Sequence, residues 1–183
     1  YPVEFMAGML NSFFGNLDKI PAYTEECKRL NIQILKPDIN KSYTKFTVDG
    51  DKIRFGLGSI KNVGTSAVDE IVAERDRNGQ FKDFTDFCER IQETNVNKKC
   101  IESLIKAGAF DEFNETRRTL MESFESILDT ITSSNKKELE GQVNMFDLGG
   151  SDSKEMKYTF KEFPEYSRKE LLFMEKEMLG LYI

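Results

Sequence analysis

Residues Ser59 to Val72, SIKNVGTSAVDEIV, combine glycine, a cation and a helix start in a way that could do chemistry. A short helical turn runs into a tight bend at Gly64, and a second helix begins near Ser66. A bend of this kind exposes successive backbone N–H groups at a helix start, where the helix dipole also favours negative charge, and so suits a phosphate group. The candidate contacts are Lys61, Asn62, Val63, Gly64, Thr65 and Ser66, with Lys61 adding positive charge on one side. A plainer reading stands beside it. Ser66 and Asp69 fit a capping box that would use up the same amides, and Asp69 and Glu70 would repel a phosphate.

A similar unit follows about 44 positions later, in CIESLIKAGAFDEFNETRRTLMESF. Here Lys106 precedes the bend Ala107-Gly108-Ala109, and Arg117 and Arg118 lie in the first turns of the next helix. Cations at a helix N-terminus oppose its dipole, and a bound anion would explain them. Helix-hairpin-helix DNA-binding motifs work on this logic, holding backbone phosphates without reading bases. Two in tandem could grip two phosphates of one duplex. The alternative is that both hairpins serve packing alone.

The rest of the composition narrows the choice. The chain of 183 residues has no histidine, which removes the commonest general base and metal ligand. Its 32 carboxylates show no cluster suited to hold magnesium, so no catalytic residue and no metal ligand is expected within it. Cys27, Cys88 and Cys100 form no paired motif and read as reduced thiols of a cytoplasmic protein. A net charge of -6 excludes a grip on DNA by bulk electrostatics, so any contact must be local. No apolar run reaches the roughly 18 residues that argue a membrane span, and no membrane partner is expected. The start, YPVEFMAGML, and the end, LGLYI, both read as cuts from a longer chain.

Several elements must position these bends. An apolar helix is expected over 3–14, then a second helix opened by Pro21 and a short strand at IQIL. Alternation on both sides of Asp49-Gly50 predicts a β hairpin, with Tyr43, Lys45 and Thr47 on one face and Thr44, Phe46 and Val48 on the other. Helices follow at 66–77, at FTDFCERI with Thr85 as N-cap, and at VNKKCIESLIKAG. A long helix carries Leu120, Phe124, Ile127, Leu128 and Ile131 at helical spacing. A last one spans 167–178, where Ser167 and Glu170 fit a capping box. The expected fold is mainly α with a small β hairpin (α+β), built on the tandem helix-hairpin-helix module. Between the last two helices, the polar stretch around GQVNMFDLGG displays Val143, Met145, Phe146 and Leu148 where a solvated linker is expected.

The blocks YPVEFMAGMLNS, ECKRLNIQILKPDINKS, KIRFGLGSIKNVGTSAVDEIVAER, FKDFTDFCERI, NKKCIESLIKAGAFD and EKEMLGLYI carry a resemblance across nearly the whole chain. They resemble the alpha subunits of bacterial replicative DNA polymerase III, the C-family polymerases. The resemblance implies a division into the end of the fingers (1–42), a hairpin plus tandem helix-hairpin-helix module (43–135), a linker (136–160) and a helix leading onward (161–183). It further implies duplex DNA and other replisome subunits as partners. The enzyme would be a DNA-directed DNA polymerase whose magnesium is held in a palm domain outside this chain. The chain itself would be inert and hold no cofactor. Such hairpins often have Gly-x-Gly; here Asn62-Val63-Gly64 replaces the first glycine, and Asn tolerates positive φ. In this family Gln142, Val143, Asn144, Met145 and Phe146 are similar to the short peptide that docks on the sliding clamp. Met145 and Phe146 would fill an apolar pocket, gaining about 1.5–3 kcal/mol each on full burial. The rival expectation is a replisome protein-interaction module that does not touch DNA.

Overall fold

The turn at Asp49-Gly50 folds as a hairpin displaced by one residue. In the computed structural model, which describes residues 1–16, 18–139 and 160–182, β2 (Thr47–Asp49) runs antiparallel to β3 (Lys52–Arg54), and Asp49 faces Lys52. The two loop residues are therefore Gly50 and Asp51. Gly50 takes φ +66° and Asp51 does not, so a type I′ turn, which needs positive φ at both, is ruled out. A short strand, β1 (Ile34–Leu35), adds parallel to β3, giving the order β1-β3-β2.

The alternation expected over 43–46 does not become strand. Instead Leu57 donates to the Tyr43 carbonyl at 2.8 Å and Gly58 to the Thr44 carbonyl at 3.0 Å. Gly56 permits this approach, since a Cβ there would lie 2.5 Å from the Lys45 carbonyl carbon. Asn11 completes the segment by bonding both the N–H and the carbonyl of Phe46 at 2.9 Å.

Seven α-helices occur among the described residues: α1 (Pro2–Ser12), α2 (Ile20–Arg29), α3 (Thr65–Asn78), α4 (Phe84–Arg90), α5 (Lys98–Lys106), α6 (Arg117–Leu139) and α7 (Arg168–Leu179). The predicted mainly α fold with a small hairpin is what forms. The N-cap of α4 is Asp83 rather than Thr85. Asp83 accepts from the Asp86 N–H at 2.8 Å while Asp86 accepts from Lys82, a two-way cap that Thr85, already inside the helix, cannot make. Ser167 and Glu170 form the expected capping box at the head of α7.

A single apolar cluster extends from Met6 in α1 to Leu181 beyond α7. Its centre is aromatic. Phe110 meets Phe84 and Phe87 edge-on, with centroids 5.0 and 4.9 Å apart. Each of these buried rings contributes roughly 1.5–3 kcal/mol by leaving water. Arg75, also buried, crosses from α3 to donate to the carbonyls of Ile39 and Ser42, which ties the loop after β1 to the helix of the first bend. Around this core α6 packs on α4 and α5, and α7 packs on α5.

Candidate nucleic-acid interface

Gly64 is the N-cap of α3, extended at φ -75° and ψ 145°, and no side chain caps the helix. The capping-box alternative does not form. Asp69 accepts instead from Thr44 Oγ1 at 2.5 Å, and Glu70 is held by Asn95, whose N–H it accepts at 2.7 Å. Both carboxylates are thereby engaged by the neighbouring loops. Among the described residues nothing accepts from the N–H groups of Gly64, Thr65, Ser66 or Ala67, whereas Val68 donates to the Gly64 carbonyl at 3.1 Å. These are the orphan donors every helix start leaves, and here most of them face solvent, since Gly64, Thr65 and Ser66 are exposed.

The bend itself is shaped by Asn62, which takes φ +63° in the place of a glycine. Its Nδ2 reaches Ser103 Oγ on α5 at 3.5 Å, and the next residue, Val63, is buried as the anchor of the loop. Lys61 is exposed, while its backbone N–H donates to the Met178 carbonyl of α7 at 2.9 Å. The structure thus gathers Lys61, Asn62, Gly64, Thr65 and Ser66 on one edge, with Val63 turned inward.

The second bend is built differently. Gly108, at φ +81°, ends α5 in a Schellman motif: Ala109 donates to Leu104 and Gly108 to Ile105, both at 3.0 Å. Its amides are therefore spent on the helix they terminate. Arg117 is buried and lies over Gly108, donating to Asp111 at 2.7 and 2.5 Å, to Glu175 at 2.8 Å and to the Lys106 carbonyl at 3.3 Å. Burial alone would pull this guanidinium down, but Asp111 and then Glu175 outweigh it and its pKa rises. The anion that the α6 start calls for is supplied from within the chain. Glu165 accepts from the Arg117 N–H at 2.9 Å and from the Arg118 N–H at 3.3 Å. The Arg118 side chain lies beside Phe163 and Tyr166, 5.9 Å from each ring centre.

Lys106 is the member of the second set that pairs within α5 itself. It sits one turn beyond Ser103 on α5 and pairs with Glu102 at 2.7 Å, while Lys99 pairs with the same carboxylate at 3.0 Å. The hydrogen bond from Lys106 holds the Glu102 carboxyl below its ordinary value against the opposing effect of burial, with help from Lys99. Lys99, Ser103, Glu165 and Glu175 all bear on the two bends and escape a reading of the sequence. Lys99 was recoverable, lying four positions before Ser103 and seven before Lys106 on one helical face. Glu165 and Glu175 carry no local signal, because their partners are 48 and 58 positions away. Residues Gln142 to Phe146 lie outside the described residues. No group of three or more Asp, Glu or Cys among the described residues is placed to hold a metal ion.

A helix-hairpin-helix motif family matches residues 31–120, which include both bends. Over its whole length the chain is 40% identical to a DNA polymerase III subunit alpha of Borreliella burgdorferi, of which it spans 16%. It is 41% identical over its whole length to that of Deinococcus radiodurans, spanning 14%, and 36% identical to that of Vibrio cholerae, spanning 16%. The chain is a homologue of one segment of the DNA polymerase III alpha subunits and covers about a sixth of their length.

Proposed function

We propose that this homologue of a DNA polymerase III alpha segment grips duplex DNA by its phosphates, through the first bend, during replication. The observation that carries the reading is the run of amides from Gly64 to Ala67, without acceptors among the described residues, inside a helix-hairpin-helix match. Lys61, with Lys99 and Lys106 on the adjoining face of α5, supplies local charge to an otherwise acidic chain. Such contacts are blind to base sequence, which suits an enzyme that must travel along any template. The second bend acts as the brace: Ala107, Gly108, Ala109 and Arg117 are engaged internally, and Arg118 stacks against the 163–166 segment.

On this reading the whole protein is a DNA-directed DNA polymerase. Its magnesium would be bound by carboxylates of a palm domain outside this chain, and the chain alone would incorporate no nucleotide. Gln142, Val143, Asn144, Met145 and Phe146 would dock on the sliding clamp, so that one segment holds the duplex while its neighbour is tethered to a ring around it. A Met145→Ala, Phe146→Ala double change would then remove clamp capture and leave duplex affinity unchanged.

Thr65→Pro tests the cradle. Thr65 is the first helical residue and follows an extended Gly64, so proline fits there and deletes a single N–H. A hydrogen bond to a charged partner contributes about 1.5–3 kcal/mol, so duplex affinity should fall at least about tenfold on every sequence, with an unchanged salt slope. Lys61→Ala should instead lower that slope by about one. Binding unaffected by both changes would leave a protein-interaction module in place of a DNA-binding one.

A further inference from the structure

The last helix touches both bends. Glu175 of α7 receives Arg117 at 2.8 Å and Lys36 at 2.9 Å, which joins it to the brace beneath Gly108. One turn later on the same buried face, the Met178 carbonyl accepts the Lys61 N–H at 2.9 Å at the lip of the first bend. Gly180, at φ +77°, closes the helix just beyond and donates to Lys176.

We infer that Glu175 is a positioning residue for the phosphate cradle: by fixing the register of α7 on the second bend, it holds Met178 against Lys61 and so aims the amides of the first. The inference rests on the phosphate reading above. Lys61 immediately precedes Asn62, whose positive φ turns the chain toward Gly64, so releasing the Lys61 N–H frees the Ile60–Lys61 peptide that leads into this turn. A charged group buried at 2% exposure and shared by two cations gives α7 one strongly preferred seat, because sliding the helix by a turn would strand the Glu175 carboxylate and leave Arg117 and Lys36 to Asp111.

The sign of the effect separates this from a simple charge effect. Glu175→Gln removes a negative charge, which by long-range electrostatics alone would tighten binding to a polyanion. Positioning demands weaker binding. Exchange of the Lys61 amide with solvent, read by NMR without DNA, reports the coupling directly, and binding to a 20-base-pair duplex reports its consequence. Glu175→Gln should speed Lys61 exchange by about tenfold or more and weaken duplex binding by roughly three- to tenfold. It should add little to Thr65→Pro, since both act through one set of amides. Gly180→Ala frays the last turn of α7 without disturbing buried charge, and should reproduce the faster Lys61 exchange should Glu175→Gln fail to fold. Unchanged Lys61 exchange in the folded variant, or tighter duplex binding by Glu175→Gln, overturns the inference. If Thr65→Pro leaves duplex affinity intact, the phosphate reading fails, while Lys61 exchange still decides whether Glu175 sets the bend.

Discussion

Arg117 and Glu175, 58 positions apart in the chain, meet at 2.8 Å with side chains only 5% and 3% exposed. Desolvation makes such a pair costly to assemble and worse to break, since removing one partner leaves the other charged and buried. Arg117→Ala leaves the buried Glu175 with Lys36 alone and takes from Asp111 its bidentate partner, and should cost about 3–5 kcal/mol in chemical denaturation. Replacing Arg117 and Glu175 together by Met should cost clearly less than the two single changes summed. Equal costs would mean that the pair is not energetically coupled.

The two glycines at the bends should respond differently to alanine. At Gly108 a Cβ would collide with the Arg117 guanidinium, and the residue has positive φ, so Gly108→Ala should lose about 1–2 kcal/mol from the backbone alone. Gly64 has ordinary φ and open space around it. The weaker N-cap offsets the gain from a stiffer unfolded chain, and Gly64→Ala should stay within about 0.5 kcal/mol of the parent. Thermal unfolding of the two variants side by side checks the contrast.

Glu102 holds Lys99 and Lys106 on the face beside Asn62. Glu102→Gln should loosen both lysines for phosphate and raise duplex affinity up to about fivefold at low salt, the size expected of a near-surface ion pair. The gain should shrink as ionic strength rises. A loss of affinity would place the duplex away from α5.

All three thiols are buried, and burial raises each of them above its ordinary value, Cys100 to about 11 and Cys88 further still. A thiol raised in the fold holds its proton where the unfolded chain has lost it. The contribution is therefore complete below the unfolded value near 9 and declines as pH rises through the folded value. Stability should fall with pH above about 9, and Cys100→Ala should flatten that decline. At pH 8 a disulfide-exchange reagent should label these thiols in the native protein only as fast as it unfolds.

What could be read in advance was what neighbours in sequence decide. The hairpin, the capping box at Ser167, the stop at Gly108 and the tolerance of Asn62 for positive φ all follow from a few adjacent residues. The end of the ladder at Thr47 is tied to Gly56 and Gly58, whose lack of a Cβ lets residues 43–45 pass close by and 57–58 bond to 43–44. The roles of Arg117 and Arg118 were beyond local reading. Cations at a helix start point to an anion, and nothing near them in sequence indicates Glu165 and Glu175, the carboxylates that meet this start in the structure.

The segment 160–182 lies far along the chain from the elements it completes. Phe163 bonds Thr116 and Thr119 through its backbone, Glu165 covers the start of α6, and Leu179 and Leu181 enter the common core. None of these contacts needs the covalent path through residues 140–159. Two polypeptides divided in that stretch should consequently rebuild the folded unit when mixed, an outcome that recovery of the folded spectrum would check.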